Sequence, residues 1–516
     1  MENAYSEAHA KDLITLYPDI AEELVRRIYT SRLIGANHDL VLHGGGTTSL
    51  KLRQKNVLGE DQEILFVKGS GVDLAHIEPD GFVALDLAVL QKFRRLEKLE
   101  DAEMDNQLQI HKLRPSSLDA SRESFLHAFL PYRYIDHTHA DSILILTNQP
   151  EGPNMVREAL GSRVAVLPYT MSRLPLAKAA AAQYDKQSNL EAIVIVNHGI
   201  FTFGEDAETS YTRMIDCVNR AETFIKRRLK DKPAASPQAD VASSEESRSL
   251  AAVFAQLIRG ACAHENSDGR LCRFRVEFRN APYLLGASIA KNAQSLCDSG
   301  VLTPEHVMWT KNRYIYIDSL PDSVEDLAVL LKQEIDVFAR DYHRYFREQS
   351  KIKGPHRDAL DPYPRVFLVQ DLGLFTLGST HREAKAAADI AEHTIRAKLQ
   401  AGAIGTYVPL ADDHIFKMEY RQLQQKKVFG RSGPLLQGQI ALITGGGGAI
   451  GCGIADRLLA AGAAVVLSDI DESRLQMVGR VLRDRYPRGE IESIPFDVTN
   501  YRSVTSAYEE ISRRVG

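Results

Sequence analysis

Apolar residues along this chain fall into short runs that switch between helical and strand spacing. Residues 18–34 set Ile20, Leu24, Ile28 and Leu33 at near-helical intervals, the pattern of an amphipathic helix. Leu40–Leu42 reads as a strand that breaks into a glycine-rich loop, Gly44-Gly45-Gly46-Thr47-Thr48-Ser49. Ile64–Val67 reads as a second strand, closed by the turn Gly69-Ser70-Gly71. Further on, Ile135-Asp136-His137-Thr138-His139 and the apolar run Ile193–Val196, followed by Asn197-His198-Gly199, have strand character. Helix and strand patterns alternate in this way to about residue 230, which predicts an α/β domain over residues 1–231.

The stretch 232–247, KPAASPQADVASSEES, has no apolar face to bury and reads as a linker. Residues 248–435 form a second region and 436–516 a third. One internal repeat joins the first two: Ile193–Gly204 reads IVIVNHGIFTFG and Val366–Gly378 reads VFLVQDLGLFTLG. The second copy has Leu372 where the first has His198. Leucine cannot bind a metal, so the second region is expected to be a degenerate, structural lobe.

Length and composition add limits rather than chemistry. The 516 residues are too many for one core and suggest about three domains. A net charge of −5 gives no electrostatic footprint for nucleic acid. The five cysteines are scattered without a C-x-x-C pair, which argues against disulfides and thiolate metal sites and fits a reducing cytoplasm. No apolar run approaches the ~20 residues needed to span a bilayer, and the N-terminus lacks a secretory pattern. A cytoplasmic protein without membrane partners is expected.

The candidate chemistry begins with the histidines. Side chains alternate faces on a strand, so His137 and His139 point the same way while Thr138 points away. Two such imidazoles can share one metal ion. A third, His198, would leave a coordination position open for catalysis. The backbone N–H groups around Gly45 and Gly46, with the hydroxyls of Thr47, Ser49 and Ser70 beside Gly71, suit a phosphate group.

With Glu123 ahead of Leu126-His127, these features together resemble the class II aldolase/adducin family. The phrases LVLHGGGTTSLK, DHTHAD, NHGIFTFG and TPEHVMWTK are similar to its long members, which fuse a rhamnulose-1-phosphate-type aldolase to a short-chain dehydrogenase. The resemblance implies a class II aldolase-like domain and a second aldolase-like lobe. It also implies a metal-dependent lyase that cleaves a phosphorylated ketose to dihydroxyacetone phosphate and an aldehyde such as lactaldehyde. In such a reaction the metal stabilises an enediolate and a partly desolvated carboxylate moves a proton. The resemblance gives that role to Glu123 on a helix, favours Zn²⁺ among the metals that three imidazoles accept, and implies a homo-oligomer. His127 is expected to be a hydrogen-bonded packing residue. One departure concerns the phosphate loop, where the family usually has Asn at the position of Thr47, so that a carboxamide donor becomes a hydroxyl. Two readings compete with the lyase: a non-catalytic adducin-like scaffold, which the three retained histidines oppose, and an oxidoreductase acting on unphosphorylated sugars or aldehydes.

The third region has its own signature. Gln439–Gly451, QIALITGGGGAIG, predicts a strand, a glycine turn and a helix, followed by a strand over Ala464–Ser468 and an acid, Asp469. That order is a partial Rossmann βαβ unit for NAD, with Gly445, Gly448, Ala449, Ile450 and Gly451 at the pyrophosphate and Asp469 on the ribose. The form resembles short-chain dehydrogenases, which adds Asp497 and Val498 on the adenine side. No Tyr-x-x-x-Lys follows Thr444 in these residues, so dehydrogenase activity is not expected from them, and the sheet is expected to expose an apolar edge.

Overall fold

The computed structural model describes residues 1–230, 245–265, 269–353, 359–420 and 434–515, in two compact units. Residues 232–244 of the expected linker lie outside the described residues, and residues 245–247 open the helix Glu245–Ala261. The first unit contains Met1–Ala235 together with two segments from the second region, Leu302–Glu305 and Arg396–His414. Leu302, Ala397, Ala401 and Ile404 pack into the core of this unit, and hydrogen bonds fix the segments further. Asn148 Nδ2 donates to the Leu302 carbonyl at 2.8 Å, Gln149 Nε2 to the Ala401 carbonyl at 2.9 Å, and the Thr406 N–H to Gln149 Oε1 at 2.8 Å.

Seven strands make the sheet of this unit: β1 (Thr47–Lys55), β2 (Asp61–Lys68), β3 (Phe82–Asp86), β4 (Tyr134–Thr138), β5 (Val164–Leu167), β6 (Ala192–Ile195) and β7 (Gly199–Gly204). Their order is β3-β2-β1-β4-β7-β6-β5, antiparallel except for β5 with β6. Two expectations need correction here. The helix expected over 18–34 runs from Glu22 to Gly35, where two glutamates in the first turn and Arg32 in the last complement its dipole. The strand expected at Leu40–Leu42 is a series of turns, and β1 follows the glycine loop instead of preceding it.

Residues of β4 alternate between two buried surfaces. Ile135 joins Phe125, Phe129, Phe201 and Phe203 in one core, and Tyr134 joins Ile28, Met214 and Val218 in the other. Asp136 is fully buried, with Arg27 Nη2 at 2.6 Å from its Oδ1 and the Ser210 hydroxyl donating to its Oδ2 at 2.5 Å. An ion pair in such a place depends on both partners, because either charge alone would be stranded away from water.

In the second unit β8 (His264–Glu265) and β9 (Leu271–Cys272) pair with each other. Strands β10 (Arg275–Arg279), β11 (Ile315–Ile317), β12 (Val366–Val369) and β13 (Gly373–Gly378) form a sheet of order β10-β13-β12-β11. Its order and strand directions reproduce β4-β7-β6-β5. Even the turn is repeated: Asn197 has φ 57° between β6 and β7, and Asp371 has φ 58° between β12 and β13. The repeat in the sequence is therefore a repeat in topology. Strand register extends it, because Tyr134 pairs with Gly204 as Arg275 pairs with Gly378. Phe278 then occupies the place of His137, Asn280 that of His139 and Leu372 that of His198. Phe278 keeps a ring contact with Phe375, centroids 4.6 Å apart, as His137 does with Phe201 at 3.9 Å.

The C-terminal part carries β14 (Ile440–Thr444), β15 (Ala464–Ser468) and β16 (Ile491–Ser493), all parallel, with β15 in the middle. Among the described residues β14 pairs only with β15, and its Leu442 is 45% exposed. No helix among the described residues is long and apolar enough to cross a membrane.

Candidate functional site

His137 ends the apolar row of β4, His139 lies just beyond the strand, and His198 sits in the turn from β6 to β7, which pairs with β4. Ring centroids are 4.8 Å apart for His137 and His198, 4.9 Å for His137 and His139, and 5.2 Å for His139 and His198. One nitrogen from each can be chosen so that all three lie within 4.8 Å of one another. His137 Nδ1 donates to the Ile200 carbonyl at 3.0 Å, which leaves its Nε2 with a lone pair toward the other rings. That Nε2 and both ring nitrogens of His198 are buried without a hydrogen-bond partner. Burial holds His137 well below the ordinary histidine range and pushes His139 down to about 3, so both rings are neutral at physiological pH. Orphaned imidazole nitrogens facing one another fit a divalent cation, whose ligands must be deprotonated.

Glu123 comes to the same place from another element. It is the N-cap residue of the short helix Ser124–Phe129 rather than a residue within it. Its Oε1 is 3.4 Å from His137 Nε2 and 3.6 Å from His198 Nε2, and the Ser172 hydroxyl donates to that oxygen at 3.2 Å. His127 is fully buried on this helix and shares a 2.7 Å hydrogen bond with the Ser49 hydroxyl, a packing role as expected.

The glycine loop and the Ser70-Gly71 turn meet beside the histidines. A Cβ placed on Gly44 would stand 3.3 Å from the Gly71 carbonyl oxygen, and one on Gly45 would stand 3.6 Å from His139 Nδ1. Lys68 ties the two loops together by donating from Nζ to the carbonyls of Gly44 at 2.8 Å and Val72 at 2.7 Å. Gly46 has φ 65° and leaves no room for a side chain, since a Cβ would fall 2.6 Å from the His137 carbonyl oxygen. Thr47 opens β1 with its hydroxyl 3.4 Å from that of Ser121. Ser49 does not belong to this group. Because β1 starts at Thr47, Ser49 lies inside the sheet opposite Ile135, fully buried and bonded to His127.

One acidic residue was not anticipated. Glu305, in the segment Leu302–Glu305, places Oε1 3.7 Å from His198 Nε2. The Tyr169 ring also borders the triad, its centroid 6.4 Å from that of His198. Neither residue lies at a periodic spacing from the histidines. The phrase TPEHVMWTK marked the vicinity of Glu305 without saying where it folds.

The residues of the C-terminal glycine motif gather around the start of one helix. Gly445 has φ 67°, Gly448 caps the helix Ala449–Ala460, and Ile450 in its first turn is 82% exposed. Asp469 follows β15, and its carboxylate accepts the Asp471 and Gly447 N–H groups at 3.0 Å each, bonds that hold its carboxyl below the usual range. Asp497 accepts the Thr499 N–H at 2.8 Å, and neighbouring Val498 is 59% exposed. A Cβ on Gly451 would lie 2.3 Å from the Gly445 carbonyl oxygen, so the helix approaches the turn only without a side chain there. Gly451→Val is expected to weaken NADH binding at least tenfold, read as loss of cofactor fluorescence enhancement.

Comparison with known proteins gives the families this chain resembles. Residues 26–225 match the family model for the class II aldolase and adducin N-terminal domain, residues 249–428 that for the second domain of class II aldolase, and residues 439–516 that for short chain dehydrogenase. Among curated proteins, the chain is 28% identical over 503 residues to the Bacillus subtilis protein YuxG, called an uncharacterized oxidoreductase, covering 97% of this chain and 71% of that one. Over 81 residues it is 35% identical to the short chain dehydrogenase/reductase dpchG of Colletotrichum higginsianum, spanning 16% of this chain and 30% of that relative. Among solved structures, an N-terminal class II aldolase domain from Thermoplasma acidophilum is 35% identical with TM-score 0.39, covering 44% of this chain and 99% of that one.

Proposed function

Because this chain joins a class II aldolase/adducin domain to a second class II aldolase domain and a short-chain dehydrogenase segment, we propose that it is a metal-dependent lyase acting on a phosphorylated ketose of the rhamnulose 1-phosphate type. The products on this reading are dihydroxyacetone phosphate and an aldehyde such as lactaldehyde. The observation that carries it is the set of buried, partnerless imidazole nitrogens beside a buried carboxylate and a glycine-rich loop.

His137, His139 and His198 would hold the cation, Zn²⁺ in this proposal, which when bound supplies a Lewis acid for a ketose carbonyl. Retro-aldol cleavage takes a proton from the hydroxyl on the departing carbon and returns one to the carbon left behind. We assign that proton traffic to Glu123, whose carboxylate the Ser172 hydroxyl orients and the surrounding protein shields from water. Gly45, Gly46, Thr47, Ser70 and Gly71 are assigned to the phosphate, which backbone N–H groups and hydroxyls can bind without a lysine ligand. Lys68 positions the loop through its two carbonyl bonds. In the C-terminal segment Gly445, Gly448, Ala449, Ile450, Gly451, Asp469, Asp497 and Val498 are assigned to NAD. Hydride transfer is not part of this proposal.

The test is an assay of the purified chain with a panel of ketose 1-phosphates and the matching free ketoses, with and without a chelator. Cleavage confined to the phosphorylated sugars, lost on chelation and restored by Zn²⁺, is the expected result. Equal cleavage of the free sugars would refute the phosphate assignment. A chain that binds no metal and cleaves none of them would be a scaffold.

A further inference from the structure

The mechanism proposed above uses one carboxylate, yet two converge on His198. Glu123 Oε1 stands 3.4 Å and 3.6 Å from the Nε2 atoms of His137 and His198, and Glu305 Oε1 stands 3.7 Å from His198 Nε2. Two donors that share one ion at about 2.0–2.2 Å, separated by a tetrahedral angle, are about 3.4 Å apart. The Glu305 oxygen therefore already has almost the separation from His198 that a common ion would require. It also faces a buried nitrogen that has no hydrogen-bond partner, on a residue only 2% exposed.

Glu305 is held for this position. The Thr303 hydroxyl donates to its other carboxylate oxygen, Oε2, at 2.5 Å, which leaves Oε1 directed to His198. The segment is anchored in the first unit by the Leu302 carbonyl, which accepts from the buried Asn148 carboxamide. A surface carboxylate near a histidine would need neither restraint. We propose that Glu305 is a direct carboxylate ligand of the cation held by His137, His139 and His198, supplied by the second aldolase region to the site of the first. The inference rests on the metal-site reading above and extends it to a residue outside the region that carries the histidines.

The experiment reads metal binding, not turnover. The full chain, stripped of metal, is titrated with Zn²⁺ in competition with a chromophoric chelator and with Co²⁺ while the visible absorption bands are recorded. Glu305→Gln is expected to weaken Zn²⁺ binding at least tenfold and to shift the Co²⁺ bands. Thr303→Val is expected to weaken binding in the same direction by less. Glu305→Asp retains the charge but shortens the reach, and its Co²⁺ bands should also shift, which covers the case of a poorly folded glutamine variant. Unchanged Co²⁺ bands in the folded variants overturn the proposal, even if affinity falls, because they would leave only a distant electrostatic effect. Wild-type protein that binds neither ion overturns both this inference and the metal-site reading. Wild-type binding with unaltered variants overturns this one alone.

Discussion

His139→Ala is expected to lose metal and cleavage activity while the protein keeps its fold. The expected loss in kcat/KM is about a thousandfold or more, the rate equivalent of roughly 4 kcal/mol of transition-state stabilisation. Of the three histidines, this one separates chemistry from packing. His137 is fully buried and stacks on Phe201 with rings 8° from parallel, so its removal also opens a hole in the core. His139 lies past the end of β4, is only partly buried, and is linked to the other two through its ring contacts. The metal-free variant should therefore melt close to metal-free wild type, while its metal content and initial rate collapse. Retained turnover at wild-type metal content would remove His139 from the site.

The second large effect is on stability. Asp136→Leu is expected to cost about 3–5 kcal/mol, because it strands the Arg27 guanidinium in a place with no water. The urea midpoint of the full chain should fall accordingly, and its melting temperature by roughly 10 °C for a unit of this size. Restoring neutrality with Arg27→Met in the same chain should recover most of the loss, since an apolar pair of similar volume can replace a buried ion pair. A double variant as unstable as the single one would show that the pair's partners, Ser210 included, contribute more than the charges do. The pair also bears on the site, because Asp136 is the strand residue next to His137.

Much of this architecture was readable from the chain because strand periodicity and glycine turns are local. The period of two placed His137 and His139 on one face, and the apolar run before Asn197 placed His198 at a strand end. The order of strand, glycine turn, helix, strand and acid located Asp469 beside the Gly447 N–H. Errors arose where the answer depended on where an element begins. Starting the strand at Leu40 made Ser49 look like part of an open loop, whereas starting it at Thr47 buries Ser49 against His127. The phrase TPEHVMWTK marked the vicinity of Glu305, but its place beside His198 was not readable. Its approach to His198 results from tertiary packing of a segment that has no periodic relation to the histidines.

The segments Leu302–Glu305 and Arg396–His414 make the first unit depend on the second region. Asn148 and Gln149 are buried carboxamides whose partners come from Leu302, Ala401 and Thr406, so the first unit is continuous in space but not in sequence. At the positions that correspond to the three histidines the second lobe carries Phe278, Asn280 and Leu372, yet its backbone still completes the fold of the first unit. Deleting the second lobe would strip these hydrogen bonds from the first unit, so the half that carries the histidines needs the half that lacks them in order to fold.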